Sequence, residues 1–385
     1  MPRDLIPEHM IRAKDQAPDR QKRRAVLRDT VEKMSDPINR AMYKTKAFVN
    51  HSEWEGQAQK PAPNKVRVIE GDWGDVTLQL TKKTGQIYAV LNMANAQVPG
   101  GGYLEGMVAQ EENMYRRSDC HFEVHDHEMD AAKAHYTEPM QDLINGVHGQ
   151  VYLDDQQPRV CIKGRETKDG EGYEHLQVDD YFLFYELKSA ADDLRGGRAF
   201  NEASMRRKIA AQLDTLITKG IRRVILSAFG CGAFKNPPAE VARIYREELQ
   251  NRLSHFDEVV FAIYNAGYDK VNNFTIFRDE LDGLSLTERE EGRMIPVAIL
   301  PNIPKPKITI FTRNSRHEEF KKNLMIIDDV AKLYNWLENF YCKEYLQGDT
   351  KDQTKQDKAQ KILDFLHEYP PKPNSRMTVQ DYMSQ

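Results

Sequence analysis

Cysteine is scarce in this chain: four residues in 385, at positions 120, 161, 231 and 342, with no Cys-x-x-Cys pair. That scatter argues against a disulfide framework or a zinc ribbon and fits reduced thiols. Long apolar runs are missing too. None approaches the ~20 residues of a membrane-spanning helix, and the opening MPRDLIPEHMIRAKDQ lacks the apolar centre of a cleavable signal. Neither sign of charge dominates. Fifty-five Lys and Arg against 59 Asp and Glu leave −4, which argues against direct nucleic-acid binding or attraction to a membrane surface. Local basic clusters, Arg20 to Arg24 and Met205 to Lys208, read as solvated helix faces. The expected setting is soluble and intracellular, cytoplasmic or nuclear, with arrival as an injected effector also open. No internal repeat is present.

The pattern of apolar residues divides the chain into three regions. Residues 1–52 are charged, with helical spacing at Ala25, Val26, Thr30, Val31 and Met34, and Asp36 before Pro37 is suited to cap a second helix. Residues 53–282 alternate strands with amphipathic helices, the signature of an α/β layered domain. Strands are expected at 66–69, 87–93, 181–185, 224–229 and 259–264, and helices at 202–219 and 239–253. The run at 87–93 is almost continuously apolar, as in a sheet covered on both faces. Residues 283–385 form a third, mostly helical region, with proline-punctuated β-like runs at 295–300 and 308–311 and an apolar helix face near 330–341. It reads as an appended subdomain packed on the core or holding a protein partner.

The chemistry concentrates at Pro99-Gly100-Gly101-Gly102, followed after seven residues by Gln110-Glu111-Glu112. Three glycines in a row cost conformational entropy and bury little. They are expected where a backbone must come close to a ligand, here as a nest of N–H groups for an anion. Adjacent carboxylates repel, which favours keeping one protonated for acid/base work on a glycosidic bond. The blander alternative is a turn before a helix whose acidic first turn suits the dipole. A second glycine turn, Phe229-Gly230-Cys231-Gly232-Ala233-Phe234, leaves a strand and precedes a helix, a place where phosphates bind. Cys231 there has no evident partner base, so it reads as a small turn residue. His121, His125 and His127 could share a metal, but a second ligand group at finger-like spacing is missing; no metal and no cofactor are expected.

The apolar strand ending in Asn-Met-Ala-Asn, then Pro-Gly-Gly-Gly, then Gln-Glu-Glu resembles the signature of poly(ADP-ribose) glycohydrolases, which are built on the macrodomain fold. The resemblance runs more weakly from about Val66 to Phe277. It implies a macrodomain-like three-layer α/β/α architecture with a mixed central sheet, flanked here by N-terminal helices and a C-terminal extension. It implies ADP-ribose as ligand, on polymer or on protein, and hydrolysis at C1″. By match to the motif, Glu112 becomes the acid/base and Glu111 orients ribose hydroxyls or the leaving group. Gln110 anchors the loop, and Asn95 touches the same ribose. The two glycine loops would hold the diphosphate, Phe234 would wall the ribose or adenine, and Asp72 would receive the adenine amino group. Asn265, Tyr268, Asn273, Phe274 and Phe277 are candidates for the adenosine end. The family's adenine-stacking aromatic has no clear match, Tyr103 and Tyr115 being candidates. Extra acids, Asp119 and Asp126 among them, suit a guanidinium, as in hydrolases of ADP-ribosyl-arginine. A non-catalytic ADP-ribose reader is the remaining alternative.

Overall fold

The computed structural model describes residues 4–58, 64–264 and 271–287, and two short paired strands at 308–309 and 326–327. The rest of the expected C-terminal subdomain lies outside the described residues, as do Asn265 and Tyr268.

Two helices open the fold, α1 (Pro18–Met34) and α2 (Pro37–Glu55), the second capped by Asp36, which accepts from the Ile38 N–H at 2.9 Å. Then follow β1 (Val66–Glu70), α3 (Trp73–Thr84), β2 (Tyr88–Met93), α4 (Gln110–Arg117) and α5 (Glu138–Ile144). Short strands β3 (Tyr152–Leu153) and β4 (Arg159–Cys161) precede a small hairpin, β5 (Glu166–Lys168) and β6 (Glu171–Gly172). The chain closes with β7 (Phe182–Ser189), α6 (Glu202–Thr218), β8 (Arg223–Leu226), α7 (Pro238–Gln250), β9 (Glu258–Ile263) and α8 (Asn273–Leu281).

The main sheet runs β1-β9-β8-β2-β7 with all five strands parallel, and β3 and β4 pair antiparallel with β7. It is a mixed sheet covered on both faces. One face carries α2, α6, α7 and α8 through residues such as Phe48, Leu213, Tyr245 and Phe277; the other carries α1, α3, α4 and α5 through Leu27, Trp73, Tyr115 and Ile144. The architecture is the three-layer α/β/α expected from the sequence. Because the five central strands are parallel, their carboxyl ends open onto one edge, where ligands of such sheets collect.

Two expectations change. β7 is longer than the 181–185 run because its polar end, Glu186, Lys188 and Ser189, is fully buried against other polar groups. The basic clusters are not wholly solvated: Arg23, Arg24 and Lys208 are buried, each satisfied by carboxylates or carbonyls. An arginine or lysine whose donors are met by such acceptors can be buried at tolerable cost.

Candidate active site

β2 leads into the glycine loop, and the loop into α4. Gln110 ties the two ends together: its Nε2 donates to the Leu91 carbonyl at 2.7 Å, and its Oε1 accepts from the Met93 N–H at 2.9 Å. A side-chain amide here completes both hydrogen bonds of a strand backbone, fixing the start of α4 against the sheet. Asn95 accepts from Gln97 and Val98 N–H through Oδ1, which turns the chain into the loop.

Glu111 and Glu112 occupy the first turn of α4 and curl back under this loop. Glu111 accepts from Asn95 N–H at 2.7 Å through one oxygen and from Gly100 N–H at 3.1 Å through the other. Glu112 accepts from Gly102 N–H at 3.0 Å through Oε1. The amide of Gly101 is bonded to the Val98 carbonyl. The anion nest expected of the triplet is therefore corrected: all three glycine amides are already engaged, two of them by the loop's own carboxylates. Glycine is needed for closeness. At Gly101, with φ +55°, an added Cβ would sit 2.6 Å from Glu112 Oε1.

Burial, then the adjacent Glu112 charge, push the Glu111 carboxyl well above the ordinary carboxylate range. The Asn95 N–H bond and the Lys188 ammonium act the other way. Lys188 belongs to a polar floor beneath the site. Asn92 and Lys188 are register partners on β2 and β7, Asn92 Nδ2 donates to Glu186 Oε1 at 2.8 Å, and Arg159 Nε donates to Glu186 Oε2 at 3.0 Å. Lys188 Nζ lies 3.6 Å from Glu186 and 4.5 Å from the centre of the Tyr152 ring. Sequence reasoning missed this floor. The available signal was the Glu-x-Lys-Ser end of β7, whose alternation puts Glu186 and Lys188 on one face.

The second glycine turn follows β8. Phe229 and Cys231 are core residues, and their amides bond to Ser227 and Ala228 carbonyls; as candidate ligand contacts they are corrected to structural residues. Burial raises the Cys231 thiol far above its usual range, which removes it as a nucleophile. Gly230 (φ +73°) is braced by Asn236, whose Nδ2 donates to its carbonyl at 3.1 Å. The amides of Gly232, Ala233 and Phe234 donate to no acceptor among the described residues. No atom lies within 4 Å of a Cβ placed on Gly232, and Ala233 is exposed. This turn, rather than the triplet, has the open backbone donors of an anion site. Phe234 lies half-buried beside it under the Arg195 guanidinium, 5.1 Å from the ring centre.

Other candidates separate clearly. Asp72 caps α3 by accepting from Gly74 N–H at 2.8 Å and pairs with the buried Arg117, contacts that use its Oδ1. Asp119 is fully buried, accepts from Val160 N–H at 2.8 Å and is ion-paired with Lys44 at 2.9 Å. Full burial and the Lys44 charge keep it from a substrate guanidinium, correcting its reading as a guanidinium receptor. Asp126 is exposed and paired with Lys133 at 3.0 Å. Tyr103 and Tyr115 are corrected as stacking candidates. Both are buried behind the loop with ring centres 4.8 Å apart, and Gly100 rests against them. Tyr264, which no motif singled out, is half-exposed at the end of β9. His125 and His127 stack at 5.6 Å, whereas His121 is buried against the Tyr103 hydroxyl at 2.9 Å. Among the described residues no group of three His, Cys, Asp or Glu side chains is arranged to hold a metal.

Residues 19–142 match the family model described as microbial-type PARG, catalytic domain. That span starts at α1, earlier than the resemblance read from the sequence. No curated protein matches the chain. Solved structures similar in fold include the poly(ADP-ribose) glycohydrolase of Thermomonospora curvata, 24% identical, TM-score 0.45, covering 68% of this chain and 100% of that one. They include the same enzyme bound to the inhibitor ADP-HPD, 22% identical, TM-score 0.45, covering 67% and 99%. The glycohydrolase of Deinococcus radiodurans in complex with ADP-ribose is 22% identical, TM-score 0.43, over 61% and 89%. The matched segment, which is similar to that family's catalytic domain, contains nearly all of α1, the glycine loop and both glutamates.

Proposed function

We propose that this protein is a glycohydrolase that releases ADP-ribose from poly(ADP-ribose) by hydrolysis at C1″. One observation carries the reading: Glu111 and Glu112 lie side by side under the glycine loop but are engaged unequally. Both Glu111 oxygens accept backbone N–H bonds, whereas the described bond to Glu112 uses only Oε1. Glu112 also keeps 9% exposure against 3% for Glu111. Glu112 Oε2 is the one carboxylate oxygen of the pair without a described hydrogen bond.

In this reading Glu112 gives its proton to the leaving oxygen as the C1″–O bond breaks. The resulting carboxylate then takes a proton from the water that attacks C1″, which restores the acid. The products are ADP-ribose and a polymer end bearing a free hydroxyl. Glu111, held by Asn95 and Gly100, orients the ribose, and Asn95 lines the adjoining cleft. The diphosphate lies against the open amides of Gly232, Ala233 and Phe234. Tyr264 offers an aromatic face at the same sheet edge for adenine. Burial of Asp119 takes support from an arginine-linked target, so polymer is the favoured substrate. The test is release of free ADP-ribose from polymer and from arginine-, glutamate- and serine-linked proteins. Turnover of polymer supports the proposal; turnover of arginine-linked protein alone would replace it.

A further inference from the structure

The segment before α1 walls a cleft beside the glycine loop. Residues Arg12, Lys14 and Asp15 share a cleft of about 380 Å³ with Asn95, Gly101 and Gly102. This segment is pinned to the glycine loop. Arg24 Nη1 donates to the Asp15 carbonyl at 2.8 Å and to the Glu105 carbonyl at 3.3 Å, and Arg23 Nη1 reaches the Gly106 carbonyl at 3.4 Å. Gly106 has φ +77°, and a Cβ there would clash with the Arg20 carbonyl, so the loop and α1 are in direct backbone contact. Ile11 is buried beneath.

What this wall presents is cationic. Arg12 and Lys14 are exposed, and neither side chain makes an ion pair or hydrogen bond among the described residues. His135 lines the same cleft. Of the two acids there, Asp15 is turned to Arg20, and Glu105 is half-buried with one oxygen shielded from solvent. Two free cations beside the loop that holds Glu112 fit an anion on the substrate. The diphosphate of the departing ADP-ribose is assigned to the second glycine turn, after a different strand. The anion at the wall therefore belongs to the other side of the scissile bond.

We propose that Arg12 and Lys14 form a phosphate subsite for the leaving side of the substrate, the diphosphate of the next ADP-ribose unit. This rests on the glycohydrolase reading and adds a substrate preference to it: polymer above singly modified protein. The full chain carrying Glu112→Gln, expected to stop turnover, is compared with the same chain also carrying Arg12→Glu and Lys14→Glu. Affinities for ADP-ribose and for polymer of defined length are measured at two salt concentrations. The expected result is an at least ~10-fold loss of polymer affinity at low salt with a flatter salt dependence, and ADP-ribose affinity within ~2-fold. Equal loss for both ligands, or no loss for polymer, overturns the subsite. A matching thermal midpoint shows that the variant folds. If the Glu112→Gln chain binds neither ligand, the glycohydrolase reading fails instead.

Discussion

Adding one methyl group at Gly101 should disable the site while leaving the fold standing. Gly101 has φ +55°, and its added Cβ would lie 2.6 Å from Glu112 Oε1 and 3.2 Å from Glu111 Oε2, where real Cβ contacts stay beyond 3.0 Å. The left-handed backbone costs an alanine about 1–2 kcal/mol. The overlap then forces Glu112 away from the Gly102 amide that holds it at 3.0 Å. Displacing a reacting group by ~1 Å costs on the order of 100-fold in rate, so a shift of some tenths should cost about 10–100-fold. Gly102→Ala is the control. Its Cβ crowds the Cγ and Cβ of Met107 rather than either carboxylate, and its φ is not in the left-handed region, so it tests crowding of the loop apart from displacement of Glu112. Initial rates of ADP-ribose release and urea midpoints are measured for both. Gly101→Ala should lose about 10–100-fold in kcat and Gly102→Ala less than ~5-fold. A Gly101→Ala protein with normal kcat, or a Gly102→Ala protein equally impaired, would refute the argument that the triplet positions the carboxylates.

Three further outcomes follow from the geometry. Gly232→Asp puts a carboxylate at the open amides on a Cβ that meets no neighbour; ADP-ribose affinity by calorimetry should fall at least ~10-fold with the melting temperature unchanged. Arg117→Met strands the buried Asp72 carboxylate, costing about 3–5 kcal/mol in urea unfolding, and adding Asp72→Asn should recover part of it. His51 is buried and neutral: its Nδ1–H donates to Gly85, its Nε2 accepts from Leu183 N–H, and burial lowers its pKa to about 4. Because the folded-state value lies below the unfolded one near 6.5, its contribution is complete above pH 6.5 and is lost as pH falls toward 4. The loss amounts to about 3 kcal/mol. Urea titrations across that window should show the slope, and His51→Gln should flatten it.

Much of this arrangement could be read from residue patterns because it rests on apolar periodicity. The runs at 87–93 and 259–264 became β2 and β9 almost unchanged, and Asp36-Pro37 did cap α2. What escaped was polar burial. Glu186, Lys188, Arg159 and Arg117 carry charges that periodicity assigns to solvent, yet each is buried among partners supplied by distant segments. The triplet shows the same limit at the site. Three glycines announce a close backbone approach, but only the fold shows that Glu111 and Glu112 come close, and that the open amides are at Gly232 to Phe234. The wall formed by Arg12 and Lys14 depends on how α1 packs against Gly106 and holds the segment before it, which spacing along the chain does not encode.

The most direct measurement is ADP-ribose release from poly(ADP-ribose) by the unaltered chain and by Glu112→Gln, with ADP-ribose affinity measured on both. The amide keeps the size of the side chain and an oxygen for the Gly102 N–H bond but cannot exchange the proton. The account predicts rapid release by the unaltered chain, loss of at least ~1,000-fold in kcat for Glu112→Gln, and ADP-ribose affinity within ~3-fold. Undiminished turnover in Glu112→Gln would contradict it.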